Sequence, residues 1–230
     1  MRCGFSFLVL IALPIGGFAA EPEASVTAAL HAALAKNVEH ARDWLDQKDF
    51  KSLAQSAGGL QLLAEVTRAK SDDAAWQAAL GKVVEKAGEL QTVARGEEDL
   101  AQCRSALDSL DSAVKGAAGL SPNGKPQSLS RPPAIRPLML TIDAIQGDAK
   151  KALLTGQVEA AKKQTHVLAE LGKLVSNSRT TEGWSSLAGD FTAAATAAAT
   201  SNESDPKLVR QHFRAVAERC EACHEKSRTR

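Results

Sequence analysis

Apolar residues recur at three- and four-residue spacing along almost the whole chain, and no stretch alternates with the period of two that a strand requires. The pattern predicts an all-α protein, with helices over residues 25–46, 49–70, 72–94 and 97–116, then 135–155, 157–177, 181–200 and 205–226. Each is long enough to belong to a bundle. Between the fourth and the fifth lies GAAGLSPNGKPQSLSRPPAIRP, whose five prolines cannot continue a helix. The reading is two tandem antiparallel four-helix bundles, residues 21–117 and 135–230, joined by a Pro-rich linker at 118–134 and expected to be separable.

The second four helices repeat the first. Adding 108 carries Leu30 to Leu138, Ala41 to Ala149, Leu45 to Leu153, Leu60 to Leu168 and Leu63 to Leu171. It also carries Trp76 to Trp184, Gly81 to Gly189 and Leu100 to Leu208. Matches between Ala- and Leu-rich helices arise easily by chance, so the paired Trp and Gly weigh most.

The opening MRCGFSFLVLIALPIGGFAA has a basic start at Arg2, a short apolar run and a small-residue end, the three-part form of a secretory signal peptide cleaved after Ala19 or Ala20. No second long apolar run follows, so no membrane span is expected in the mature chain. Removing Arg2 with the leader leaves 27 basic and 27 acidic residues. That neutral balance argues against nucleic acid as a partner. Cys103, Cys220 and Cys223 remain, too few and too clustered for a disulfide framework.

Two of these cysteines fall in ERCEACHEKSRTR, which ends the sequence. The last helix opens at Ser204 or Asp205 with Pro206 in its first turn, and its apolar stripe runs Val209, Phe213, Val216, Cys220 and Cys223. His224 stands four residues after Cys220, so the two thiols and the imidazole are neighbours on one helix. Covalent haem attachment needs this arrangement: two thiols to add to the two vinyl groups of one porphyrin, and an imidazole to reach the iron. A structural zinc would need four protein ligands, and a second cysteine pair is absent. A thioredoxin-type pair belongs at a helix N-terminus after a strand, where its thiolate is stabilised, and not near the C-terminus of an all-α chain.

An exported four-helix unit ending in C-x-x-C-H, with a basic residue four positions beyond, resembles the cytochrome c-prime family of class II c-type cytochromes over residues 135–228. The resemblance implies one haem c held through thioethers to Cys220 and Cys223, with His224 as the proximal iron ligand. It further implies Arg228 near the proximal face and Arg136 near the propionates. Ser227 stands where the family commonly places an aromatic residue. Under the 108 offset Cys220, Cys223 and His224 fall on Ser112, Lys115 and Gly116, so the first unit is expected to be a haemless copy. Cys103 reads there as a buried inert thiol on the stripe of Leu100, Leu107 and Leu110.

The sixth iron position is open between two readings. Met139, the one methionine beyond the leader, is a candidate ligand and would suit electron transfer; Leu138 or Leu140 would instead cover a five-coordinate iron, as the resemblance implies. The expected function is therefore that of a periplasmic mono-haem cytochrome meeting redox partners transiently. The alternative is a haem protein that binds nitric oxide or carbon monoxide. No enzyme is expected, since His166 and His212 read as solvated. A homodimer follows from the resemblance unless the first unit occupies that surface within one chain.

Overall fold

The computed structural model describes residues 20–96, 99–129, 132–178 and 183–228; the leader up to residue 19 lies outside them. The described residues form eight helices and no strand. They are α1 (Ala20–Asp46), α2 (Phe50–Arg68), α3 (Ala74–Arg95) and α4 (Leu100–Ala118), then α5 (Ile135–Leu154), α6 (Val158–Asn177), α7 (Trp184–Thr200) and α8 (Pro206–Arg228). None is long and apolar enough to cross a membrane.

Aspartates set several of the starts. Asp49 accepts from the Ser52 amide (2.9 Å), Asp73 from Trp76 (2.9 Å), Asp99 from Ala101 (2.9 Å) and Asp205 from Lys207 (2.8 Å). Each satisfies an amide that the first turn of a helix leaves without an intrahelical acceptor.

The 108-residue spacing recurs in three-dimensional detail. Helix α1 ends at Asp46 and α5 at Leu154, while α2 starts at Phe50 and α6 at Val158. The buried Trp76 donates its indole N–H to the Thr67 carbonyl (3.1 Å), and Trp184 donates to Val175 (2.6 Å), the residue 108 positions on. Lys48 and Gly156, again 108 apart, both turn the chain with positive φ, 57° and 74°.

In the last helix of each half the spacing changes. The buried positions of α4 are Cys103, Leu107, Leu110, Ala113, Val114 and Ala117. In α8 they are Val209, Phe213 and Val216, followed by the half-buried Cys220 and Cys223. These series superpose at a spacing of 106, as do the caps Asp99 and Asp205 and the helix starts Leu100 and Pro206. The offset of 108 is thus wrong for α4 and α8. The counterparts of Cys220, Cys223 and His224 are Val114, Ala117 and Ala118, not Ser112, Lys115 and Gly116. The slip is hidden in the sequence because Leu100 and Leu208 happen to match, although α7 ends three residues earlier than α3 on the 108 spacing and the loop after it is only one residue longer.

The linker does not hold the halves apart. Helix α1 packs on α6 and α2 on α5, and one apolar cluster runs through both halves. The 108 spacing exchanges these two helix contacts, as a two-fold relation would. His40 and Asp148, themselves 108 apart, meet between the halves at 3.2 Å. Lys70 reaches across to the buried Glu170, which also holds Lys173 at 2.6 Å. Burial alone would raise the Glu170 carboxyl, but the hydrogen bonds from Lys173 and Lys70 outweigh it and hold the pKa below its ordinary value. The linker backbone is itself pinned to the α2–α3 turn: Gly124 N–H to Ser71 Oγ (2.8 Å), Lys125 N–H to Asp72 Oδ1 (2.7 Å) and Gln127 N–H to the Ala69 carbonyl (2.7 Å).

Candidate functional site: a thiol and imidazole cluster at an open helix seam

The two halves close differently. In the first, α1 packs on α4, and Arg42 of α1 reaches Asp108 and Asp111 of α4 at 3.2 Å each. In the second, α5 packs on α6, α6 on α7 and α7 on α8, but α5 and α8 approach each other only marginally. The positions corresponding to Arg42 and Asp108 are Lys150 and Arg214, both exposed cations, so the clasp that closes the first seam is replaced by like charge.

At this seam a chamber opens. From α8 it is lined by Arg219, Cys220, Cys223 and His224, from α5 by Met139, Ile142 and Asp143. Its back is formed by Val175 of α6 with Leu187, Ala188 and Phe191 of α7. The helical spacing of the C-x-x-C-H run places both thiols half-buried on the inner side and the imidazole at the exposed rim. Gly172 makes room for Phe191, since a Cβ there would stand 2.8 Å from the ring carbon Cδ1 and 2.5 Å from Thr192 Oγ1. At the corresponding places the first half has Ala64 and Val83, a larger residue facing a smaller one.

The electrostatics of the chamber are those of a dry pocket with one acid at its mouth. Desolvation pushes the Cys220 thiol up to about 12, with Asp143 and Cys223 adding to the rise. A thiol so held is neutral at physiological pH, the opposite of the stabilised thiolate of a redox pair. Among the described residues no three His, Cys, Asp or Glu side chains converge as ion ligands. Desolvation also raises the Asp143 carboxyl, and the nearby His224 partly offsets that rise.

The residues named from sequence are not all brought together. Met139 lines the chamber with Cys220, Cys223 and His224. Leu138 is fully buried in the core and does not line it. Leu140 is 38% exposed and lies on the other side of α5, facing α1 and α2. Arg136 is exposed on that same far side. Arg228 closes α8, but its side chain lies outside the described residues. His166, expected to be solvated, is half-buried in α6, and desolvation lowers its pKa against the pull of Glu170. Cys103 is fully buried, and burial raises its thiol pKa.

Asp143, Arg219 and Phe191 line the chamber without having been singled out from sequence. The first was legible in principle, lying one turn beyond Met139 on α5. The second required the true phase of α8.

The donor set suits a c-type haem: two thiols and an imidazole within two turns of one helix, beside apolar walls. The free volume of the chamber is only about 30 Å³, room for roughly a single water. A porphyrin enters only if α8 and α5 part, and these two helices have little packing on each other to lose. Compared with protein-family models, curated proteins and solved structures, the chain matches none.

Proposed function

We propose that the chain is an exported mono-haem c-type cytochrome of the periplasm, built as two tandem four-helix bundles of which the second carries the haem, and that it transfers electrons between transient redox partners. The observation that carries this reading is that both thiols, the imidazole and Met139 line one apolar chamber at the one seam left open. Cys220 and Cys223 would hold the macrocycle through thioethers, His224 would supply the proximal nitrogen, and Met139 is the candidate sixth ligand. When bound, the haem iron supplies the one-electron chemistry.

The chain's own residues set the conditions for that chemistry. Ile142, Val175, Leu187 and Phe191 exclude water, while Asp143 and Arg219 place one charge of each sign at the rim. Neither Leu138 nor Leu140 lines the chamber, which favours the thioether over a leucine-covered iron. The first bundle packs on α5 and α6, so those faces are covered within one chain.

The test is the absorption spectrum of the purified protein and of its pyridine derivative. One acid-stable haem per chain is expected, absent after Cys220→Ala with Cys223→Ala, together with a low-spin ferric spectrum whose sulfur-to-iron band disappears in Met139→Ala. A haem retained covalently by the double variant would sink the attachment. A high-spin ferric spectrum that changes with nitric oxide would replace electron transfer by gas binding.

A further inference from the structure

On the far side of α5 from the chamber lies a cavity of about 700 Å³, within the range of small-molecule sites. Its floor is apolar, from Phe50, Ala54, Ala94, Pro137 and Leu140. Among the described residues its rim carries four exposed cations, Lys48, Lys51, Arg95 and Arg136, against a single carboxylate, Asp49. That carboxylate is committed to capping α2, bonded to the Ser52 amide (2.9 Å) and hydroxyl (2.7 Å). A cleft with three uncompensated positive charges stands out in a chain whose basic and acidic residues otherwise balance.

Two independent observations show that the fold itself does not require this charge. At the corresponding places of the second half, Lys48 and Lys51 are replaced by Gly156 and Glu159, so the same scaffold folds with that charge removed or reversed. Moreover, Lys48 sits at φ 57°, in the left-handed region that its counterpart Gly156 occupies without steric cost. A non-glycine residue there costs on the order of 1 kcal/mol, and strain of this kind clusters at ligand sites.

We propose that this cleft binds a small organic anion with an apolar body, a carboxylate or phosphate head on a hydrocarbon or ring. The head would be held by the Arg95 and Arg136 guanidinium groups, with Lys48 and Lys51 beside it. The planar forks of the two arginines suit either oxyanion. The body would lie on Phe50, Pro137 and Leu140. The site is independent of haem attachment, so it stands or falls separately from the proposed function.

The test uses the full-length purified chain and the fluorescent probe anilinonaphthalene sulfonate, which carries both features. One class of site is expected, with Arg95→Gln plus Arg136→Gln weakening it at least tenfold. Lys48→Gly should weaken it about threefold while leaving the melting temperature unchanged or higher. Glu159→Lys, in the second half, should leave probe binding within twofold. Dodecanoate below its micellar concentration should displace the probe where equal inorganic phosphate does not. Sedimentation with phosphatidylglycerol vesicles then separates the sources. Pelleting that the arginine pair's removal abolishes assigns the anion to a lipid, and a chain that stays in solution yet binds dodecanoate assigns it to a free organic acid. Probe binding unchanged in both the arginine and the Lys48 variants, or displaced equally by phosphate, overturns the proposal.

Discussion

The α1–α4 half and the α5–α8 half share the bounds of their first turns, buried tryptophans and even the sign of φ in those turns, yet one seam is closed and the other open. Where the second half places Met139, Asp143, Cys220, Cys223 and His224 around its chamber, the first has His31, Ala35, Val114, Ala117 and Ala118. Behind them stand Leu34, Leu80 and Val83, all at 0% exposure. The difference teaches that a site here is made by subtraction as much as by adding ligands. The fold tolerates an open seam because α6 and α7 hold α8 from one side, so the clasp between first and last helix is dispensable.

The sharpest way to break the comparison is to test the register of α4. With Cys220 and Cys223 changed to Ala, Ser112→Cys should react with a maleimide at the rate of a free thiol. Val114→Cys, at a position 3% exposed, should react about a thousandfold more slowly, the factor set by roughly 4 kcal/mol of opening free energy. Equal rates would restore the 108 offset and undo the assignment of counterparts.

A smaller effect is expected from making the chamber's back wall resemble the first half. Gly172→Ala alone should destabilise by about 1–3 kcal/mol through overlap with Phe191 and Thr192. Adding Phe191→Val, which recreates the pairing of Ala64 with Val83, should recover most of that in denaturant melts. No recovery would show that the two walls are packed on different principles.

The contact between the halves can be weighed through Glu170→Gln, expected to cost about 1–2 kcal/mol at neutral pH by unpairing the half-buried Lys70 and the exposed Lys173 from a buried partner. The sign with pH follows from the depressed folded pKa. The unfolded chain binds the proton first, so the contribution is fully present above the ordinary value of 4.5 and fades as the pH falls below it. Stability of the wild type and the variant should therefore converge on acidification; a constant gap would mean the loss is one of packing.

The smallest effect is that of the matched caps. Asp99→Ala and Asp205→Ala should each lower stability by about 1 kcal/mol, and by similar amounts if the ends are equivalent.

The helices and their breaks were legible because amphipathic period, proline and aspartate caps act locally and agreed with one another. The C-x-x-C-H cluster was legible for the same reason, its geometry lying within two turns of one helix. What the sequence left hidden was relational. The phase of α8 against α4 depends on loop lengths, and the place of Leu140 and Arg136 on the far face of α5 depends on the first half packing there. The half-burial of His166 depends likewise on neighbours that polar residues around it in the sequence did not announce.

The pinned linker sets a leash. Only residues 128–134 separate its last anchored residue, Gln127, from the start of α5, and seven residues at full stretch reach about 25 Å. A crossover that by composition could be a long floppy tether is thus divided at the α2–α3 turn, and its second part is too short to let the halves wander. Each half meets the other at the high effective concentration of a short tether, so their interface can be individually weak and still persist.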